Sequence, residues 1–341
     1  MNQITVSACP ACGASAGQTK SVHCPQCRLP FAFVDLFAGP KAIAYQQKQI
    51  QAVRTRRFKT LQDQYSDGLS FMLADRCALR LNKKTHTLNV YLADGQTESI
   101  ENVLQYSRSR KHTLILHTDG TVEARGSNDC GQCVVADLRD ILLVLAGPNV
   151  SYCVNRNGGV IVRGDGRFQD DVERWSNIHR LAAGDHHLVG LRMDGQVNFT
   201  GSISAPKVFR STCNWKNITA VAAASDYALA LDRDGRVYFA GYPDDERRAA
   251  AEWENIAVIA AEEVYAVALT KNGRVLLAGE GAYLDRGRSE AAQWNNVVAI
   301  AAAGGGIGGI AENGSLYLCG DSFAPAANRR NISQRWMVEQ P

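Results

Sequence analysis

Four cysteines near the start of the chain have the type and spacing to hold a metal. They stand as Cys9-Pro-Ala-Cys12 and Cys24-Pro-Gln-Cys27, two CxxC pairs separated by eleven residues. Each CxxC turn directs two thiolates to one point, and two such turns close a tetrahedral zinc site with no open position. A redox CxxC would be a single pair on an α/β scaffold, not two pairs in a short polar stretch. One structural zinc ion is therefore expected, on Cys9, Cys12, Cys24 and Cys27, with His23 as a neighbour. Around thirty residues cannot fold on an apolar core alone, so metal binding would supply the folding energy.

Other strings that could carry chemistry weaken in context. Gly304-x-Gly306-x-x-Gly309 matches a dinucleotide fingerprint, but no helix pattern follows it. His112 and His187 occupy a position filled by Tyr227, Tyr265 or Val150 in related segments, which reads as a packing slot. Cys130-Gly-Gln-Cys133 has no second pair nearby and reads as a loop or buried thiol. Nucleophile-elbow, HExxH and phosphate-loop patterns are absent. No catalytic residue and no small-molecule substrate is expected.

The elements that position these residues follow from charge and repetition. The 341 residues carry 37 Lys+Arg against 34 Asp+Glu, with 45% hydrophobic residues, which excludes disordered and fibrous classes. Residues 1–66 hold eight basic and two acidic residues, a net of +6, which leaves −3 of the chain's +3 for residues 67–341. Lys41 to Thr60 has no acidic residue and few helix breakers, with Pro40 at a good start position, so a basic helical linker is expected over 31–66. Its Lys48, Arg54, Arg56, Arg57 and Lys59 could contact phosphate backbones or an acidic surface, or simply face water. The N-terminal sequence has no secretory pattern and no apolar run spans a membrane, so a cytoplasmic protein is expected.

The rest is repetitive. Six glycines preceded by Asp or Asn (Gly120, Gly158, Gly195, Gly235, Gly273 and Gly314) are spaced by 38, 37, 40, 38 and 41 residues. Twenty positions before them stand Ile100, Leu138, Trp175, Trp215, Trp253 and Trp294; eighteen before stand Asn102, Asp140, Asn177, Asn217, Asn255 and Asn296. Six positions after each anchor is another glycine, Gly126 to Gly320. An Asp-Gly or Asn-Gly turn between two alternating runs marks a hairpin. Short strands repeating at this period predict an all-β propeller, and triplets such as Ala222 to Ala224 suggest strands crowded near an axis.

The unit W-x-N-I…A-A-G-x-x-H/Y-x-x-A-L-x-x-D-G-x-V…G resembles the regulator-of-chromosome-condensation repeat over roughly residues 100–325. Its trailing N-x-x-G-Q loop occurs once, at Asn128 to Gln132. The resemblance implies a propeller, commonly of seven blades, with six the alternative. His86 to Gly95 echoes His112 to Gly120, so a divergent unit over 67–99, with Arg335 to Val338, is expected to complete the seventh. The paired CPxC turns likewise resemble the zinc ribbons at the N-termini of many bacterial cytosolic proteins. The expected domains are thus a zinc ribbon (1–30), a basic linker (31–66) and a propeller (67–341).

Functionally, the propeller points to a non-enzymatic scaffold that binds a protein partner through one face. The aromatics Phe168, Phe209, Tyr242, Tyr283 and Phe323, each in the loop after a repeat's last glycine, are the candidate contacts, with packing against the next blade as the competing role. Nucleic-acid association through the ribbon and Lys41 to Lys59 is the alternative. The repeat family's guanine-nucleotide exchange on a small GTPase is a third reading.

Overall fold

The computed structural model describes residues 40–65, 70–74, 77–166, 168–201, 212, 214–284, 287–323 and 332. The chain divides into two compact units, residues 1–64 and 65–341. In the first, α1 (Pro40–Tyr65) runs for 26 residues, about 39 Å at 1.5 Å per residue. The Ala, Gln, Lys and Arg content sustains it, and Pro40 opens it because its missing N–H would be unsatisfied there anyway.

Seven antiparallel sheets make up the described part of the second unit, and each takes its strands in chain order. The first contains β1 (Phe71–Ala74), β2 (Cys77–Asn82), β3 (Thr87–Leu92) and β4 (Thr97–Ile100). Six three-stranded sheets follow: β5–β7 (Val103–Arg108, His112–His117, Val122–Gly126), β8–β10 (Ile141–Ala146, Val150–Asn155, Val160–Gly164) and β11–β13 (Ile178–Ala183, His187–Arg192, Val197–Gly201). The last three are β14–β16 (Ile218–Ala224, Tyr227–Asp232, Val237–Ala240), β17–β19 (Ile256–Ala261, Tyr265–Thr270, Val275–Gly279) and β20–β22 (Val297–Ala303, Gly306–Ala311, Leu316–Gly320). This is a seven-bladed β-propeller.

The repeat positions are backbone devices. Asn102, Asp140, Asn177, Asn217, Asn255 and Asn296 all sit at φ between 55 and 60°, the left-handed region that Asn and Asp tolerate best among non-glycine residues. Each precedes an inner strand whose register slips by one residue, as between Ile218 and Ala220. The anchor glycine lies against the left-handed residue of the next blade: a Cβ on Gly158 (φ +72°) would fall 2.6 Å from the Asn177 Cα. Its carbonyl accepts the N–H of the following strand, Ile178 to Gly158 at 3.1 Å and Ile256 to Gly235 at 2.9 Å. Glycine and asparagine recur in phase because they touch.

The core is distributed between blades rather than pooled. One buried cluster joins Leu79 and Leu88 of the first sheet to Ile115 of the second. Another joins Val189 and Leu191 to Trp215 and Ile218, and a third joins Tyr265 and Val267 to Ile300 and Ile307. From β5 through β8, β11, β14, β17 and β20 to β1 the first strands pack on one another in succession, which places them nearest the axis. The alanine triplets lie on those strands, as expected.

The first blade differs from its expected phase. β3, which holds the segment echoing His112 to Gly120, is the third strand of its sheet and not the second. The second strand is β2, and the turn after it ends in His86 at φ +55°. The His86 carbonyl accepts the Val103 N–H at 2.8 Å, the bond that an anchor glycine makes elsewhere. The Asp94-Gly95 turn then leads into a fourth strand, β4. The described strands of this blade all fall within residues 71–100; Arg335 to Val338 lie outside the described residues. β1 packs on β20 and β21, and a Cβ on Gly308 would stand 2.9 Å from Phe71 and 3.1 Å from Leu73, so the ring closes face to face.

Candidate functional site

In three blades the slot at the start of the second strand, held by His112, Tyr227 and Tyr265, bonds to the next blade. The Tyr227 hydroxyl donates to the Tyr265 carbonyl at 2.7 Å, and the Tyr265 hydroxyl donates to the Gly306 carbonyl at 2.9 Å. His112 Nε2 lies 2.8 Å from Ser151 Oγ of the next sheet, and that hydroxyl donates to the Gln132 carbonyl at 2.7 Å. Burial pushes both tyrosines up, His112 down and His187 down to about 4. These groups keep one protonation state at neutral pH and serve packing. At Gly306 the slot has no side chain, and the buried Phe323 ring fills the space where a Cβ would stand.

Two arginines lock the same positions from outside. Arg247 lies 4.2 Å over the Tyr227 ring and pairs with Asp226 at 2.8 Å and Asp245 at 2.6 Å, while donating to the Glu263 carbonyl. Arg288 lies over the Tyr265 ring, donates to the Gly305 carbonyl at 2.9 Å and pairs with Asp321 at 3.2 Å. The sequence places these charges around a binding surface; burial commits both guanidinium groups to holding successive blades together.

The loops on this rim divide by charge, with Asp185 and Glu263 exposed, Glu262 half-buried, and Asp226 half-buried in its ion pair with Arg247. The described loops joining first to second strands follow the same strand in each blade and so lie on one rim of the ring, where those of blades two and six meet through Arg110 and Glu263. That of the second blade carries the exposed Arg108, Arg110 and Lys111. Those of blades four, five and six carry Asp185, Asp226, Glu262 and Glu263. Arg110 reaches across this rim to an ion pair with Glu263, and both side chains remain largely solvent-accessible. The hydrogen bond to Glu263, then the charges of Glu263, Asp185 and Glu262, hold the Arg110 guanidinium above its ordinary value.

Among the candidate aromatics, Tyr242 is exposed, beside exposed Asp244 and Arg248. Phe168 is half-buried against the cluster of Val150 and Leu188. Phe323 is fully buried, which removes it from any contact surface: it packs within its own blade. Phe209 and the Tyr283 side chain lie outside the described residues, as do Cys9, Cys12, Cys24, Cys27 and His23. On α1, Lys48, Arg54, Arg56 and Lys59 are exposed and Arg57 is half-buried. Gly306 and Gly309 fall within β21, where Gly309 makes room for the Trp294 ring, so the glycine string belongs to blade packing. Among the described residues no three His, Cys, Asp or Glu side chains come together as a metal site, and no helix is long and apolar enough to cross a membrane.

The fold is similar to the CRINKLY WD40 ectodomain of the Arabidopsis thaliana receptor kinase ACR4, with a TM-score of 0.57 at 14% identity over 74% of this chain and 95% of that one. It is also similar to a chain in the structure of Kap60 bound to yeast RCC1 (Prp20), with a TM-score of 0.52 at 17% identity over 66% of this chain and 71% of that one. The ectodomain of the Physcomitrella patens receptor kinase CR4 matches at a TM-score of 0.52 and 12% identity, over 70% and 68% of the two chains. At these identities the likeness establishes the propeller fold alone. No family model matches the chain, and no curated protein matches it.

Proposed function

We propose that this chain is a non-enzymatic interaction scaffold of the chromosome-condensation repeat type, which binds a protein partner through the polarised rim of its propeller. The observation that carries this reading is the division of that rim into a basic segment, Arg108 to Lys111, and an acidic arc formed by the exposed Asp185 and Glu263 with half-buried Glu262. Complementary charge arranged in this way fixes a partner's orientation and speeds encounter. The Arg247 and Arg288 clamps keep the arc rigid, and Tyr242 offers an amphipathic ring beside it. That a structurally similar chain occurs in a complex of Kap60 with yeast RCC1 supports protein binding.

The test is affinity capture of host proteins on the intact chain and on a variant carrying Glu262→Lys, Glu263→Lys and Tyr242→Ala. A partner held by the intact chain should be lost at least about tenfold from the variant, since opposing like charges costs more than 1.4 kcal/mol. Equal capture by both would overturn the reading.

Nucleic-acid association is the second reading, favoured by the exposed Lys48, Arg54, Arg56 and Lys59 along α1. Phosphate contacts by such a helix would weaken steeply with salt. A mobility shift that is absent even at low salt ends this reading; one that is present at low salt and lost with Lys48→Glu, Arg56→Glu and Lys59→Glu supports it. The head itself we assign one structural zinc on Cys9, Cys12, Cys24 and Cys27, whose four thiolates suit a closed tetrahedral site. Metal analysis should find one zinc per chain, abolished by Cys9→Ser with Cys12→Ser.

A further inference from the structure

The loop after β7 brings two thiols to the surface of a stiff turn. Cys130 is exposed and Cys133 half-buried, in contrast to Cys77, Cys153 and Cys319, which are buried. Burial drives the Cys153 thiol up to about 12, so it is inert, whereas Cys130 is open to solvent. Two consecutive turns wrap the pair: the Gly131 N–H donates to the Asn128 carbonyl at 3.0 Å and the Val134 N–H donates to the Gly131 carbonyl at 3.1 Å. The Cys133 N–H donates to Asn128 Oδ1 at 2.8 Å, and the Cys130 N–H donates to Gln132 Oε1 at 2.9 Å. Gly131 takes φ +83° with only Val134 near its missing Cβ, so it is there for the turn and not for space.

The same turn is wired to this rim. The Cys133 thiol donates to the Ser127 carbonyl at 3.2 Å, and the Ser127 N–H donates to the Lys111 carbonyl at 3.0 Å. A second path runs from the Gln132 carbonyl to Ser151 Oγ, then to His112 Nε2, with His112 Nδ1 lying 3.1 Å from Ser109 Oγ. Both paths end on the loop Ser109 to Lys111, which presents Arg110 to the acidic arc.

We infer that Cys130 and Cys133 form an oxidisable dithiol, closed to a disulfide by a peroxide, and that closure loosens the basic loop at the rim. The Cys130 thiolate attacks a peroxide oxygen, giving Cys130 sulfenic acid and hydroxide, which takes up the proton released when the thiolate formed. The Cys133 sulfur then attacks the Cys130 sulfur, and the second oxygen leaves as water with the Cys133 proton. Overall, two thiols and one hydrogen peroxide become one disulfide and two waters. The reaction removes the Cys133 thiol proton, and with it the bond to the Ser127 carbonyl. The inference does not depend on the scaffold reading: the modification and its reach to Ser109–Lys111 are properties of the ring alone.

Trypsin cleavage after Arg125 and Arg139 isolates these two cysteines in one peptide, Gly126 to Arg139. After peroxide treatment of the full chain and alkylation under denaturing conditions, this peptide should be two hydrogens lighter and unlabelled. Dithiothreitol should restore both labels. In Cys133→Ser, dimedone should trap Cys130 as its sulfenic acid. Amide exchange over Ser109 to His112 should become several-fold faster in the oxidised chain, and should not change when Cys130→Ser/Cys133→Ser receives the same peroxide. A doubly alkylated peptide after peroxide would overturn the inference, and so would a disulfide that leaves that exchange rate unchanged.

Discussion

The first blade and the six that follow it reach one architecture by different local means. Each of the six relies on a left-handed Asn or Asp, a bulged inner strand and a glycine pressed on the next blade's backbone. The first blade pairs β1 with β2 in unbroken register, sets His86 where the glycine would be, and adds a fourth strand. Yet both make the same bond to the next blade, Val103 to His86 and Ile178 to Gly158. What a blade must satisfy is therefore its junction with its neighbour; the motif is one economical way of doing so.

The comparison breaks first at tryptophan, which four of the six repeats carry at one position (Trp175, Trp215, Trp253 and Trp294). Trp215 is almost fully buried, with Tyr238 packed beside it at 6.0 Å between ring centroids. Trp215→Ala should cost about 3–5 kcal/mol in chemical denaturation. If the first blade is held by its junctions, it should unfold in the same transition; a separate early transition would make it an appendage.

The glycine position sharpens the contrast. Gly158→Ala adds a Cβ 2.6 Å from the Asn177 backbone at a positive φ and should cost about 3 kcal/mol.

The slot histidines separate blades by pH. Burial holds His187 at about 4, below its ordinary 6.5. Between those values the unfolded chain binds a proton that the folded chain refuses, so stability falls as pH drops from about 6.5 to 4 and flattens below. The loss from this group should approach about 3 kcal/mol at 1.36 kcal/mol per unit. His187→Val, which copies Val150 of the third blade, should remove that part of the acid slope, read as the change in denaturation midpoint with pH. His112, also pushed down by burial, adds a slope of the same sign that the variant keeps.

The smallest effect belongs to the first blade. His86→Gly replaces a strained residue with one at ease at φ +55°. It should change stability by no more than about 1 kcal/mol, because relief of strain is offset by a more flexible unfolded chain. A loss as large as that of Gly158→Ala would show that the imidazole itself holds the junction.

Much of the ring was legible because its constraints are local and repeated. The Asn/Asp and Gly positions answer a fixed backbone need in all six copies, and the Trp position a packing need that Ile100 and Leu138 meet in two of them. The sequence pattern sets the first blade one strand out of phase because Asp94-Gly95 imitates an anchor turn, while the true junction is formed by His86, a residue type that carries no turn signal. Closure was hidden for a different reason: Gly308 is shaped by Phe71 and Leu73, from the opposite end of the unit. At the rim, the histidines were legible as packing residues because the slot recurs with Tyr and Val. The Arg247 and Arg288 clamps were not, since each also reaches a carbonyl of the next blade, Glu263 or Gly305, and a backbone oxygen has no sequence signature.

The face-to-face seam between β1 and β20 has a bearing on how this chain is made. On emerging from synthesis, the first blade has its second neighbour within a few dozen residues but must wait for the last blade before its other face is covered. Through that interval Phe71 and Leu73 present an apolar strand to the surroundings. The added length of chain is itself a small entropic burden, about 0.6 kcal/mol for each doubling. The exposed strand is the larger hazard, because an uncovered apolar strand can pair with another growing chain before its own last blade arrives. Premature termination anywhere before Gly308 should therefore leave a species prone to self-association, while the finished ring conceals the very surface responsible.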